Sequence, residues 1–428
     1  MSWPDPYLPQ QGDDRYAVSH YDLELDYRLR DNRLRGTATI ALTALRATDA
    51  LVFDLTRLRV DRVEVDGRRA RMRQVAHKLF VRPDTPLAAE QRATVRIVYA
   101  GNPGPRRSAW GPLGWEELED GALVASQPSG SSTWFPCNDR PDDKAAYRFA
   151  VTTDADYAIV APGTLASSRR HGGRNEAVFE QPAPTSTYLA ALYIGRYAAA
   201  ALDLDGVPGT VWSPPALDAR VRRDTAALPA MMRAFQERFG PYPFDTYALV
   251  VTPDTLEIPL EAQSLAVFGE NHMDGAGGSE RLVAHELAHQ WFGNSVGLSS
   301  WSDIWLNEGF ACYAEWLWFE ASGKQSAAVT AAEYHRRLAA QPQDLVLADP
   351  SAGLMFDDRV YKRGALALHA LRTALGDDAF FGLLRTWTAR FRHGVVTTDA
   401  FLDLVSEAGG DAAGFEAAWL RGTALPAL

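Results

Sequence analysis

The 428-residue sequence has little cysteine, no long apolar stretch and no excess of basic residues. Its two cysteines, Cys137 and Cys312, are too few for a disulfide framework. No segment approaches the run of about 18 apolar residues that a membrane-spanning helix requires. The net charge of -11 disfavours nucleic acid and anionic membranes as partners, whereas an acidic cleft would suit a cationic group such as a free amine.

The first fourteen residues are polar and rich in proline, without the basic and apolar regions that characterise a secretion signal. Hydrophobic residues make up 46% of the chain and charged residues 23%, as in ordinary globular proteins. These observations predict a cytoplasmic protein that contacts neither a membrane nor nucleic acid.

The distribution of apolar residues predicts two domains. From residue 16 to about residue 197, several segments alternate apolar and polar residues, and turn signals such as Asp66-Gly67 separate them. The composition changes between residues 198 and 215, and helical spacing dominates afterwards, beginning with a predicted helix over residues 218–239. We therefore expect a multidomain α+β protein with an antiparallel β saddle or sandwich in residues 1–197 and a mainly helical domain in residues 198–428.

The segment from residue 279 to residue 308 carries the clearest chemical signal. His285 and His289 are four residues apart on a predicted helix, so both imidazoles can reach one ion, and Glu286 follows the first of them. Glu308, one turn inside a second predicted helix over residues 303–319, can supply a third ligand. Three protein ligands leave zinc one open position for water, which is the property of a catalytic site.

An HExxH match can also arise by chance on an ordinary surface helix. Two features favour the metal site. Apolar neighbours such as Leu287 and Phe292 indicate burial, where unpaired imidazoles would be costly, and Glu308 lies in an NEGF sequence at helical phase.

Longer motifs carry a family resemblance. HELAHQWFGN followed by WLNEGFACYAE is similar to the aminopeptidase N family of gluzincins, which includes the leukotriene hydrolases. Further segments resemble family motifs in the same order along the chain: FPCNDRP in the β region, FGPYPF, PLEAQS at the position of the family's GxMEN exopeptidase motif, VYKRGA at the catalytic tyrosine, and FEAAWL near the end.

The resemblance implies a thermolysin-like catalytic domain with one zinc ion per chain, bound by His285, His289 and Glu308. Glu286 would be the general base. By the same resemblance, three further residues would act on a peptide substrate with a free N-terminus: Glu261 would hold the α-ammonium, Tyr361 would stabilise the oxyanion, and Gln127 would line the amine subsite.

Two departures from the family pattern bear on the cleft. Ile258 and Ala262 replace the glycine and the asparagine of the exopeptidase motif, so a branched side chain is expected to narrow the groove or shift the preferred first residue. The sequence ends at Leu428, just past the catalytic region, so we expect no C-terminal helical domain and a more open cleft.

Several residues keep two interpretations. Glu315 could orient a ligand histidine or form an ordinary salt bridge, and Asp303 and Lys362 could contact substrate or pair locally. The leading function is a zinc aminopeptidase; the alternatives are an epoxide hydrolase-like side activity and a non-catalytic scaffold that retains the fold.

Overall fold

Strands fill the first part of the chain. The computed structural model describes residues 4–428. Its N-terminal strands are β1 Tyr16–Arg28, β2 Arg33–Ala44, β3 Leu51–Asp54, β4 Arg59–Val65, β5 Arg68–Arg69, β6 Arg71–Val75, β7 Lys78–Arg82, β8 Arg92–Gly101, β9 Arg106–Ser108, β10 Gly111–Leu118, β11 Gly121–Ala125, β12 Ala145–Asp154, β13 Ala158–Val160, β14 Thr164–His171, β15 Arg174–Thr185 and β16 Tyr193–Gly195.

An eight-stranded sheet is the frame of this region, in the order β14-β15-β12-β1-β2-β8-β4-β5. Alternate residues of β1, such as Tyr21 and Leu23, are fully buried against the smaller sheets β13-β16-β11-β10-β9 and β3-β7-β6. The pairs in the large sheet are antiparallel as expected, except that β1 and β12 run parallel. A parallel pair requires a long crossover connection, and the intervening strands of the other sheets supply it.

A fourth sheet begins at Ala198. Its strands are β17 Ala198–Leu204, β18 Val207–Ser213, β19 Tyr247–Thr252, β20 Leu260–Ala262 and β21 Leu265–Gly269, and β20 lies at one edge. Its five strands pair only with one another and with no strand of the N-terminal sheets. This separation supports the division of the chain into residues 1–197 and 198–428, which we propose as its two domains.

Helices make up most of the second region. They are α1 Asp218–Asp224, α2 Leu228–Phe239, α3 Glu280–Ala288, α4 Trp305–Ala321, α5 Ala327–Ala339, α6 Asp358–Leu375, α7 Asp377–Arg390, α8 Thr398–Glu407 and α9 Ala412–Phe415, with a wider helical turn over Glu416–Arg421 and a short strand pair β22 Gly297–Leu298 and β23 Val395–Val396. Among residues 4–428, no helix combines the length and apolar character needed to cross a bilayer.

The prediction of one helix over residues 218–239 is wrong, because the chain forms two helices there. The first helix ends at Asp224, and the hydroxyl of the following Thr225 donates a hydrogen bond to the Val221 carbonyl. Pro229 lies in the first turn of the second helix. Proline has no N–H and its ring clashes with the carbonyl of the residue four positions earlier, so it is tolerated at a helix start and not in its interior.

Helix α4 crosses α6 at two glycines. A Cβ on Gly309 would lie 2.8 Å from the Gly364 Cα, and a Cβ on Gly364 would lie 2.6 Å from the Gly309 Cα. The backbones therefore touch, and the neighbouring Glu308 and Tyr361 are brought to the same region. Only glycine permits this approach.

We expect Gly309→Ala to lower the free energy of unfolding by about 1–3 kcal/mol, because the added methyl forces the two helices apart. Gly382→Ala is the matched control, since a Cβ there meets no atom within 4 Å and alanine favours the helix. Urea unfolding of both variants measures the difference. Equal stability of the two variants would contradict the close crossing.

Candidate active site

Helix α3 presents the motif residues to the interior. Its buried face includes Val283, Ala284 and Leu287, which pack in the main core of the second region. His285 and Glu286 lie in the last turn, and His289 follows the helix end, with its N–H donating to the His285 carbonyl at 3.2 Å. Both imidazoles are almost fully buried.

The three predicted metal ligands converge. Glu308 Oε2 lies 3.5 Å from His285 Nε2 and 3.4 Å from His289 Nε2. Zinc bonded at about 2.0–2.1 Å in a tetrahedron holds its ligand atoms about 3.3–3.4 Å apart, so the observed spacing fits this ion. Two imidazole nitrogens and a carboxylate are also the donor types that zinc prefers in catalytic sites.

The opposite ring nitrogens are occupied by other groups. His285 Nδ1 lies 2.8 Å from Glu315 Oε1, and His289 Nδ1 lies 3.0 Å from the Phe292 carbonyl oxygen. Both partners are acceptors, so each Nδ1 carries the proton and each Nε2 keeps its lone pair for a metal. Glu315 also pairs with Arg281 at 2.9 Å, so both interpretations of this carboxylate hold at once.

The electrostatics of the three ligands favour a positive charge between them. Burial lowers the pKa of His289, but Glu308 and Glu261 outweigh burial and raise it to about 10. Burial likewise opposes ionisation of Glu308, yet His289 and His285 bring its pKa down to about 2. A divalent cation supplies the positive charge that this arrangement stabilises.

Glu286 is a buried carboxylate beside the candidate metal ligands. It is 3% exposed, and its Oε2 has no hydrogen-bond partner within residues 4–428. Burial raises the pKa of this carboxyl. Ligand atoms of Glu286, His289 and Glu261 all lie within 4.8 Å of one another, so the Glu286 carboxylate adjoins one of the predicted metal ligands.

The two domains meet at Glu261. This residue lies on the edge strand β20, and Gln127 of the N-terminal region donates a hydrogen bond from Nε2 to Glu261 Oε1 at 2.7 Å. Burial raises the pKa of Glu261 to about 7. Glu257, a second carboxylate four residues earlier, is exposed, and Ile258 is 60% exposed.

Tyr361 borders the site from helix α6. Its ring lies parallel to that of His285, with centroids 6.1 Å apart and an interplanar angle of 20°. Burial, then the charges of Glu308 and Glu261, raise the pKa of the Tyr361 hydroxyl well above its usual value. This hydroxyl therefore keeps its proton at neutral pH.

Other candidates have local partners. Asp303 accepts hydrogen bonds from the N–H and hydroxyl of Thr398 at the start of α8, and Lys362 contacts Cys312 and Asp358. Three histidines outside the ligand set bond to main chain or to a tyrosine: His272, His335 and His369.

Sequence reasoning missed three residues beside the site. The side chains of Gln290 and Asn294 donate to the Ala262 carbonyl at 3.2 and 2.8 Å, next to Glu261. The ammonium of the half-buried Lys144, from the N-terminal region, donates to three main-chain carbonyls, among them that of Asn294 at 2.8 Å. The sequence carried a signal for Gln290 and Asn294, because polar amides at the end of an apolar helix indicate buried hydrogen-bonding partners.

Taken together, a β domain joined to a helical domain and a His, His, Glu ligand set beside a free carboxylate define a zinc metallopeptidase. Residues 17–189 match the Peptidase M1 N-terminal domain, and residues 225–419 match the Peptidase family M1 domain. The chain belongs to peptidase family M1.

Individual relatives agree with this assignment. An M1 zinc metallopeptidase from Deinococcus radiodurans, whose mutant was crystallised with the substrate Tyr-Ser-Ala, is 32% identical, with a TM-score of 0.92 over 100% of this chain and 99% of that one. Human endoplasmic reticulum aminopeptidase 1 is 26% identical over 84% of this chain and 42% of its own length. Aminopeptidase 2 of Candida albicans is 24% identical over 92% and 45%. The chain therefore spans less than half the length of these two curated relatives.

We expect Glu315→Gln to weaken zinc binding by about 10- to 100-fold, because it removes the charged acceptor that orients His285. Competition with a fluorescent chelator measures the affinity. Arg281→Met is the control, since it removes the Glu315 ion pair and leaves the contact to His285 in place. If Arg281→Met alone reproduces the loss, Glu315 serves only the ion pair.

Proposed function

We propose that the protein is a zinc-dependent aminopeptidase that hydrolyses N-terminal residues from peptides. The observation that carries this proposal is the position of the Glu261 carboxylate, within 4.8 Å of the ligand atoms of Glu286 and His289. A carboxylate beside the ligand set gives a free α-ammonium a charged partner at a fixed distance from the scissile bond. The curated relatives that bear the name aminopeptidase support the same function.

Zinc held by His285, His289 and Glu308 would polarise the scissile carbonyl and lower the pKa of a bound water to about 7. Glu286 takes the proton of the attacking water on its free oxygen and passes it to the leaving amine. The Tyr361 hydroxyl, which keeps its proton at neutral pH, donates a hydrogen bond to the oxygen that becomes negatively charged.

Selection of the N-terminus rests on Glu261 and Gln127. The hydrogen bond from Gln127 fixes one oxygen of Glu261, which leaves the other oxygen for the substrate ammonium. An acylated or internal amide would leave the half-buried carboxylate without a cation, and an unpaired buried charge is costly. Peptides with a free N-terminus are therefore the proposed substrates.

We also propose that the enzyme works in the cytoplasm and contacts neither membranes nor nucleic acid. Both cysteines are buried free thiols, which agrees with a reducing compartment. The net charge of -11 agrees with the absence of polyanionic partners. Fractionation of the cells that make the protein tests the compartment.

Metal analysis and turnover of aminoacyl arylamides test the function. We expect one zinc per chain, loss of activity with a chelator and recovery with zinc. Glu286→Gln should retain the metal and lower turnover by about 10²- to 10⁴-fold, because the base is lost. A protein that holds zinc and hydrolyses no arylamide or dipeptide would be a scaffold that retains the fold.

The role of Glu261 is tested with paired substrates. We expect Glu261→Ala to reduce kcat/KM for free-amine arylamides and to leave N-acetylated counterparts at their low rate, because only the free amine needs the carboxylate. Glu257→Ala, an exposed carboxylate four residues earlier, is the control. An equal loss on both substrate types would refute the amine anchor.

A further inference from the structure

The hairpin that carries Glu261 has an unusual turn. Strands β20 and β21 pair from Leu260 to Val267, and the two residues at the turn are Gln263 and Ser264. Ser264 has a φ of +62°, in the left-handed region that residues other than glycine and asparagine rarely adopt. Such a turn persists only where surrounding contacts hold it.

Gln290 supplies contacts that hold this turn. Its side-chain oxygen accepts the Ser264 N–H at 2.8 Å, and its side-chain nitrogen donates to the carbonyls of Ala262 at 3.2 Å and Leu265 at 3.5 Å. One amide thus satisfies three main-chain groups of the hairpin. Gln290 is fully buried, so water cannot replace these bonds.

Asn294 makes a second attachment to the same carbonyl. Its Nδ2 donates to the Ala262 oxygen at 2.8 Å, and its own N–H donates to the His289 carbonyl at 3.0 Å. Gln290 is the residue directly after His289. Both amides are therefore tied on one side to a metal ligand and on the other to the residue that follows Glu261.

The hairpin has independent supports on its other side. The Gln263 side chain donates to the carbonyls of Ala183 and Pro184, and the Ser264 hydroxyl accepts the Gly163 N–H at 2.8 Å. These groups belong to the N-terminal region and keep the hairpin folded. The bonds from Gln290 and Asn294 connect the hairpin to the segment that follows the predicted metal ligand His289.

We propose that Gln290 and Asn294, here called the amide clasp, are positioning residues that set the distance between the amine anchor and the metal site. This inference deepens the proposed aminopeptidase function and rests on it. Without the clasp the Glu261 carboxylate shifts relative to the scissile bond, so the α-ammonium and the carbonyl can no longer be engaged together.

The test uses near-isosteric apolar variants, Gln290→Met and Asn294→Leu, in the zinc-loaded full chain. We expect one zinc per chain in both. We also expect a KM for free-amine arylamides raised by about 10- to 100-fold, as for a misplacement near 1 Å, with a smaller change in kcat. Selectivity over N-acetylated arylamides falls by a similar factor.

Gln263→Met is the matched control. It removes a buried amide that holds the same hairpin to the N-terminal region, so it lowers stability and leaves the selectivity for a free amine unchanged. If Gln290→Met fails to fold, Asn294→Leu is used for the test. It removes only one side-chain hydrogen bond, whereas Gln290→Met removes several, so it disturbs the fold less.

A double-mutant cycle with Glu261→Ala separates positioning from general destabilisation. Because the clasp acts through Glu261, we expect its variants to have no further effect on selectivity in the Glu261→Ala background. Clasp effects that add in full in that background, or clasp variants with wild-type KM and selectivity, overturn the proposal.

Binding supplies a readout that does not depend on turnover. Calorimetry with leucinamide and N-acetyl-leucinamide measures the preference for a free amine directly. In one outcome, the wild-type protein binds leucinamide more tightly than N-acetyl-leucinamide, the clasp variants lose this preference, and no variant hydrolyses any substrate. That outcome would support the clasp and refute the aminopeptidase function. An active wild-type enzyme whose preference survives both clasp substitutions would refute the clasp alone.

Discussion

The structure depends on one buried carboxylate held between two imidazoles. Glu308 Oε2 lies 3.5 and 3.4 Å from the Nε2 atoms of His285 and His289, and burying these groups separately would be costly. The three groups offset one another's cost of burial, and two further acceptors bond to the imidazoles: the Glu315 carboxylate to His285 and the Phe292 carbonyl to His289. The surrounding helices serve to hold this triangle at the spacing of a zinc ion.

The glycine crossing explains how Tyr361 comes to lie beside that triangle. Helix α4 brings Glu308, and contact between Gly309 and Gly364 lets α6 approach closely enough to lay Tyr361 along the His285 ring. A larger residue at either glycine would move the tyrosine and the carboxylate apart. Packing at a point without any reactive group thus sets the geometry of the reactive groups.

The proposed amine subsite contains residues of both domains. Gln127 reaches Glu261 from the β domain, and Lys144 from the same domain holds the carbonyl of Asn294, whose side chain bonds to Ala262. The proposed binding site for a free N-terminus is therefore formed by residues from both sides of the domain boundary. In the proposed mechanism, the β domain thus contributes to the selection of a free N-terminus.

The sequence by itself determined the fold class, and it predicted His285, His289 and Glu308 as metal ligands and Glu286 as the base, because local spacing on a helix decides which side chains share a face. The sequence failed at residues 218–239, where helical periodicity continues through a break that Pro229 imposes. It also failed to predict the parallel pairing of β1 with β12, because that pairing joins strands far apart in the sequence. Only the tertiary structure decided which partners meet: Gln127 with Glu261, Gly309 with Gly364, and the amides of Gln290 and Asn294 with a hairpin about 30 residues away. These contacts join segments distant in sequence, and no local pattern specifies the distance between them.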